Sequence, residues 1–405
     1  MTGSTLPHFH MQKPMLDWLI VGGGVHGTYL SHVLTGRIGW PRDRVRVLDP
    51  HATPLVRWDQ MTANVGMDFM RSSLVHHLDL DPFALKRFAK TPEGEPLARF
   101  AYPYQRPSYA FFQHHTRCVV RQHRLGALRI QGRAGGLRRA GGGWLVETQE
   151  GTLEARRVLL ALGMSEQLCW PGWARALHDT GGLVHHVFDE GFRHDRLPAW
   201  RHAVVVGGGI SAAQAALALA ERQPGTVTLL ARHEARIHQF DSDPGWMGPK
   251  NLAAFHRQPC PMQRRSTIDG ARHRGSVPPD VWRWLRHAAN ADRLTHRLGE
   301  VTDARLGDDG AVRLRLDAPP GRLTADLVVL ATGFEAQRPG GAWLDAAVET
   351  LGLRCGACGY PVVDTALRWA DGLYVTGPLA ELELGPVARN IVGARLAAKR
   401  LARAA

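Results

Sequence analysis

One pattern occurs twice in this chain and restricts its fold more than any other feature. Leu16 to Val21 is a short apolar segment that runs directly into Gly22-Gly23-Gly24-Val25-His26-Gly27 and then into the helix-like stretch Thr28 to Leu34. A second apolar segment, Arg44 to Leu48, follows and ends at Asp49. The same series returns from Ala203 to Val206, through Gly207-Gly208-Gly209-Ile210-Ser211-Ala212, along an apolar-periodic helix to Ala220, and into a strand from Thr226 to Leu230. Strand, G-x-G-x-x-G turn, helix and strand together mark a dinucleotide-binding unit. Gly22 permits the tight turn, Gly24 lets backbone approach a pyrophosphate, and Gly27 lets the helix pack close to its strand. In the second copy Gly207, Gly209, Ser211 and Ala212 take the corresponding places. The helix N-terminus that follows directs unpaired N–H groups and a positive dipole end at the phosphates.

The two copies differ where the second strand ends. Asp49 presents a carboxylate able to accept hydrogen bonds from ribose hydroxyls. The later strand runs instead into Ala231-Arg232, with Arg236 beyond, so a guanidinium is available for a 2'-phosphate. The first copy is therefore read as an FAD site and the second as a site for NADPH in preference to NADH.

A length of 405 residues exceeds one ordinary core and calls for two domains, or one split by the other. Two apolar strands, Arg157 to Leu162 before Gly163 and Asp326 to Leu330 before Ala331-Thr332-Gly333-Phe334, end in small residues as domain crossings do. The expected architecture is α/β, with two Rossmann-like dinucleotide-binding domains arranged as in glutathione reductase. Its borders are a tail at 1–13, a discontinuous FAD domain at 14–198 and 327–405, and an inserted NADPH domain at 199–326. In the last section, Gly377, Gly385, Pro386 and Val387 open a helix expected to begin near Pro386, its N-terminus facing the flavin.

Composition is that of a globular enzyme, 44% hydrophobic and 21% charged, with no apolar run near the eighteen or so residues that cross a bilayer. The start of the chain has no targeting pattern, and a cytoplasmic location is expected. A net charge of +13 is scattered and almost wholly arginine, which argues against a nucleic-acid partner. Five cysteines make no disulfide framework, and no histidine spacing makes a metal site.

These residues resemble the class B flavin-dependent monooxygenases, and within them the lysine and ornithine N-hydroxylases of siderophore pathways. Asp326-x-x-x-Leu330-Ala-Thr-Gly333-Phe334-x-x-x-x-Pro339 is similar to the family's D-x3-L-A-T-G-[YF]-x4-[HP] pattern, which puts Thr332 and Gly333 at the cofactor. Similarity extends over Trp58-x-x-Met61 to Phe88, placing Trp58 and Met61 at the flavin, and over Arg106-Pro-Ser-Tyr109-x-x-Phe112. The resemblance implies that NADPH reduces FAD, that O2 adds to flavin C4a, and that a small-molecule heteroatom, foremost an amine nitrogen, takes one oxygen atom. It departs where the family carries a Gln and a Lys: here Asp68 and Arg71 are the catalytic candidates. The C-terminal Leu384-Gly-Pro-Val-Ala-Arg-Asn390 also replaces the family's ending, so lysine or ornithine is not carried over as substrate. S-oxygenation and Baeyer-Villiger insertion use the same flavin adduct and stay open, as does a homo-oligomeric state.

A rival reading comes from Cys355-Gly-Ala-Cys358, because C-x-x-C beside a flavin serves NADPH-dependent disulfide reductases. Three further expectations concern the middle of the chain. His185 and His186 are a candidate hinge before the nicotinamide domain. Asp241, Asp243 and Trp246 stand in a cleft loop suited to a cationic or aromatic substrate, or else to capping and packing the next helix. Pro259 to Pro279 is expected to be a flexible excursion.

Overall fold

The computed structural model describes residues 15–403, so the expected tail at 1–13 lies outside the described residues. β1 (Leu16–Val21) leads into α1 (Val25–His32), β2 (Val45–Asp49) and α2 (Val56–Asn64). α3 (Tyr109–Gln122), β3 (Arg129–Gln131) and the long β4 (Gly151–Leu160) complete the first run. After β5 (Val184–His186) comes the second glycine turn, between β6 (Ala203–Val206) and α4 (Ile210–Arg222), followed by β7 (Val227–Ala231). α5 (Pro249–His256), α6 (Pro261–Ala271), α7 (Pro279–Asn290), β8 (Thr295–Leu298) and β9 (Leu327–Leu330) come next. β10 (Leu373–Val375) and α8 (Ile391–Leu401) close the chain.

Two parallel sheets organise these elements. The first runs β10, β4, β1, β2, β3, and the second β8, β7, β6, β9, β5. Trp18, Leu19 and Ile20 of β1 and Ala203, Val204 and Val205 of β6 are fully buried. From Trp18 in β1 and from Ala203 in β6 the strands read as unbroken apolar runs because helices or further strands cover both faces. In each sheet the glycine turn follows a central strand, where the chain reverses its winding, and this is where open α/β sheets bind ligands.

The pairing corrects the expected domain borders of 199 and 326. Both β5 and β9 are hydrogen-bonded into the second sheet, with Val206 opposite Leu330 and Val329 opposite His185. The inserted unit therefore begins before β5 and ends after β9. The crossings lie together: Leu168 bridges Phe334, and Cys169 donates its N–H to the Gly333 carbonyl. Asp326 explains why that motif opens with an acid. Its carboxylate accepts the N–H groups of Arg201 and His202 at 2.6 and 3.1 Å, joining the feet of β6 and β9. His186 is fully buried within β5, so the histidine pair belongs to a sheet strand rather than to a free hinge.

Ordinary core packing is supplemented by neutral histidines. His26, His32, His77, His115 and His186 are each more than nine-tenths buried. Burial is the largest cause that pushes each of them down to about 4. In the unfolded chain a histidine titrates near ~6.5, so between the two values the unfolded state binds more protons. Stability contributed by these groups is fully present above that unfolded value and is lost as pH falls toward their folded value. Urea midpoints should therefore decline steadily from pH 7 to 4.5, with a shallower slope in a His186→Gln variant; equal midpoints across that range would contradict the assignment.

Candidate functional site

The first glycine turn is built by close approach. Gly22 has φ +107°, and a side chain there would begin 2.5 Å from the Ala161 carbonyl oxygen at the end of β4. A side chain on Gly27 would begin 1.8 Å from the Gly22 carbonyl, which fixes α1 tightly against β1. Gly24 differs, since nothing lies within 4 Å of its missing side chain and α1 has no side-chain cap. An open backbone before uncapped helical N–H groups is what a pyrophosphate requires. Asp49 accepts the Gly23 N–H at 2.6 Å and the His51 N–H at 2.9 Å. Arg129, the first residue of β3, lies 2.7 Å from the same carboxylate and donates to the His51 carbonyl. Sequence reasoning missed Arg129 because only the pairing of β2 with β3 brings it there.

The second turn repeats the device. Gly207 has φ +153°, and a side chain there would begin 2.6 Å from the Ala331 carbonyl oxygen; one on Gly209 would begin 3.3 Å from the Gly275 Cα. Ser211 and Ala212 form the first turn of α4, with Ala212 buried against Gly207. Beside them lies a small cavity of about 10 Å³ lined by Gly208, Gly209, His233, Trp282 and His296, among others. Arg232 sits outside it, 71% exposed and 3.5 Å from Glu300. The residue facing the glycine turn from the end of β7 is His233, which carries no acid or guanidinium signal in the sequence.

Thr332 and Gly333 lie at the crossing, where the Thr332 hydroxyl donates to the Cys169 carbonyl at 2.5 Å. A side chain on Gly377 would begin 3.8 Å from the His26 ring, which contacts the Thr376 hydroxyl at 2.9 Å and the Asn390 carbonyl at 3.1 Å. The C-terminal section is thus pinned to the first helix. Its helix begins later than expected: Pro386–Arg389 is a short 3-10 turn, and α8 starts at Ile391. Gly385, with φ +74°, makes the bend, and Val387 is buried beside Trp246 and Phe255.

Trp58 and Met61 stand on α2 at the junction of the two domains. Trp58 packs on Tyr109 and Phe112 of α3, while Met61 joins the core of the second domain. The same helix holds the 188–192 segment through Arg57 to the Phe188 carbonyl, Gln60 to Glu190 at 2.7 Å and Asn64 to Phe192 at 2.9 Å. The two catalytic candidates take different surroundings. Arg71, desolvated by its burial, donates to the carbonyls of His238 and Gln239 and to the Ser276 hydroxyl at 2.8–3.0 Å. Asp68 is turned to solvent, its carboxylate 51% exposed and 3.2 Å from Arg99.

Arg71 thereby fixes the start of the loop expected to form a cleft. In that loop Asp243 caps the next turn through the Gly245 N–H, and Trp246 is buried against Phe255. Asp241 instead receives the Asn390 amide at 3.1 Å. Between Ser73, His76, Asp241, Met247, Val387 and Asn390 lies a cavity of about 50 Å³, where both domains and the C-terminal section meet. His76 is pushed down to about 4 by burial and by Arg395, so it is neutral there at pH 7.

The segment 259–279 is a correction to the expected flexible excursion. It contains α6, and Arg265, Arg272 and Arg389 converge on the fully buried Glu381 at 2.5–3.1 Å. Burial pushes the Glu381 carboxyl up, but Arg272, Arg389 and Arg265 more than offset it and hold it at about 2. Cys355 and Cys358 lie against this helix in a tight turn closed by Gly356 N–H to the Tyr360 carbonyl. Burial raises the Cys355 thiol above its usual range.

Residues 19–165 match the family model of FAD-NAD(P)-binding domains. A search of curated protein sequences returns no match. Among solved structures, the chain is similar to an ornithine N-hydroxylase of Kutzneria sp. 744 at TM-score 0.73 and 17% identity, covering 96% of this chain and 99% of that one. L-lysine 6-monooxygenase from Pseudomonas syringae follows at 0.70 and 19%, covering 96% and 98%. The bacillithiol disulfide reductase of Staphylococcus aureus lies further off at 0.58 and 15%, covering 96% and 97%. These likenesses establish the two-domain dinucleotide-binding fold over nearly the whole chain.

Two glycine substitutions separate folding from binding. Gly24→Ala meets no neighbouring atom and should keep the melting temperature, while its methyl blocks the phosphate approach and weakens FAD at least ~tenfold. Gly27→Ala collides with the Gly22 carbonyl and should lose both stability and flavin. Retained flavin affinity in Gly24→Ala would move the pyrophosphate away from this turn.

Proposed function

We propose that the protein is an FAD-containing, NADPH-dependent monooxygenase that hydroxylates the nitrogen of a small cationic amine with O2. The observation that carries the substrate reading is the cavity at the junction of the domains, with Asp241 and Asp243 as the acids of its lining. The likeness over 96% of the chain to enzymes whose names specify ornithine and lysine supports the reaction class. The first glycine turn and Asp49 would hold FAD. Gly207, Gly209 and His233 would hold the nicotinamide cofactor, with the exposed Arg232 free to swing onto a 2'-phosphate. Bound FAD would supply electron transfer from NADPH and the activation of oxygen.

The chain's own residues bind, orient and exclude water. Asp241 attracts and orients an ammonium group, and the neutral His76 adds no competing positive charge. Phe240, Met247 and Val387 supply apolar walls that strengthen this attraction by excluding solvent. Arg71 acts as a positioning residue, because it grips the backbone at 238 and 239 immediately before Phe240 and Asp241. Asp68 faces solvent, and no step is assigned to it. The disulfide reductase reading draws on the more distant bacillithiol enzyme, but a half-buried thiol, Cys355, held above its usual range is a poor electron donor to a substrate disulfide.

The test is turnover of α,ω-diamines and basic amino acids under 18O2 with NADPH. The expected outcome is one labelled oxygen in an N-hydroxylated product, unchanged in a Cys355→Ser, Cys358→Ser double variant. Asp241→Asn should raise KM about tenfold or more with a smaller effect on kcat, the mark of lost substrate binding. Electrons passing only to a disulfide, with no label in any amine, would replace this reading by the reductase.

A further inference from the structure

A cluster of metal-ligating side chains lies outside the nucleotide and substrate sites, beside α3. His114 and Cys118 are four residues apart on this helix and share one of its faces. Glu93 reaches them from the turn before it. That turn is rigid: the Gly94 N–H bonds to the Thr91 hydroxyl at 3.1 Å, and a side chain on Gly94 would begin 2.1 Å from the Phe88 carbonyl. The Cys118 Sγ lies 3.8 Å and the His114 Nε2 3.7 Å from the Glu93 Oε1, and all three atoms fall within 4.8 Å of one another. Ligand atoms around tetrahedral zinc, with bonds of about 2.0–2.3 Å, sit roughly 3.3–3.6 Å apart, so the two contacts to Glu93 need movements of a few tenths of an ångström and the Cys118–His114 pair, within 4.8 Å, closes by about one ångström at most.

Three further observations point to a ligand here. The His114 Nε2 is shielded from solvent and has no hydrogen-bond partner, although it faces the donors of the cluster. Phe88 stacks on the imidazole at 5.8 Å and 26°, limiting its rotation. Arg121 places a guanidinium 3.3 Å from both the Cys118 sulfur and the Glu93 carboxylate, where positive charge is favoured. Its side chain is 67% exposed and can leave into water. Among the described residues, no other group of three His, Cys, Asp or Glu ligands converges in this way.

We propose that Glu93, His114 and Cys118 form a zinc-binding site that takes one Zn2+ with water as its fourth ligand. The donor set is one thiolate, one imidazole and one carboxylate, which suits zinc better than calcium or magnesium. Binding forms the three metal–ligand bonds and releases one proton, that of the Cys118 thiol, while Arg121 moves off. The ion clips the Thr91–Gly94 turn to α3, the helix whose Tyr109 and Phe112 support Trp58.

The experiment uses full-length protein, stripped of metal with a chelator and titrated with Co2+ as a spectroscopic probe. One equivalent should bind with a thiolate-to-cobalt charge-transfer band that Zn2+ abolishes. Cys118→Ser should lose the band. Glu93→Gln, at an exposed position that leaves the fold intact, should weaken binding by at least ~tenfold, and Arg121→Ala, by removing the competing cation, should tighten it. A band that persists in Cys118→Ser would assign thiolate ligation to Cys355 and Cys358 and overturn the site. Absence of the band in the parent protein, or unaltered affinity in Glu93→Gln, would overturn it equally.

Discussion

Both nucleotide units depend on one contact, the backbone of a glycine turn pressed against the carbonyl that ends the neighbouring crossing strand. Gly22 meets Ala161 and Gly207 meets Ala331, at 2.5 and 2.6 Å from where a side chain would begin. Each contact sets the turn at the carboxyl end of a central strand and leaves the following helix with free N–H groups. In each case the carbonyl belongs to the segment that carries the chain between domains. The shape of each glycine turn and the domain connection are therefore built on the same few backbone atoms.

The two domains meet through polar groups as well as through apolar packing. α2 donates to the 188–192 carbonyls, Arg71 to those of 238 and 239, and Asn390 to Asp241. Arg106, only 2% exposed, pairs with Asp280 across the same junction. Directional bonds of this kind fix relative placement while leaving a polar-lined cavity between the parts. The Glu381 cluster continues the pattern, since a buried carboxylate with three guanidinium partners locks α6 to the section before α8. Losing any one arginine would leave charge still buried, which makes the arrangement specific rather than merely sticky.

Much of this could be read without coordinates where local rules dominate. The glycine turns, the strands on either side and the order of the two units follow from steric limits within about thirty residues. Asp49 was legible as the acid that ends β2, but its hold by Arg129 was not, because that contact spans β2 and β3. The domain borders slipped for a similar reason: β5 and β9 look like free connecting strands until their hydrogen bonds place both in the second sheet. The stretch 259–279, rich in Arg and Gly, looked flexible because its ordering partner, Glu381, lies more than a hundred residues away.

By itself the sequence determined that the chain folds into two dinucleotide-binding units, since short-range backbone sterics admit little else at a G-x-G-x-x-G turn between strand and helix. Tertiary structure alone decided which side chains meet at the junction. It turned Asp68 outward, made Arg71 a clasp, set Asp241 and Asp243 in the lining of one cavity, and gave Asp243 a capping bond and Trp246 a place in the core. It also brought Glu93 to His114 and Cys118. A side chain's neighbours depend on sheet order and domain docking, which arise from many weak contacts distributed over the whole chain and leave no short motif behind.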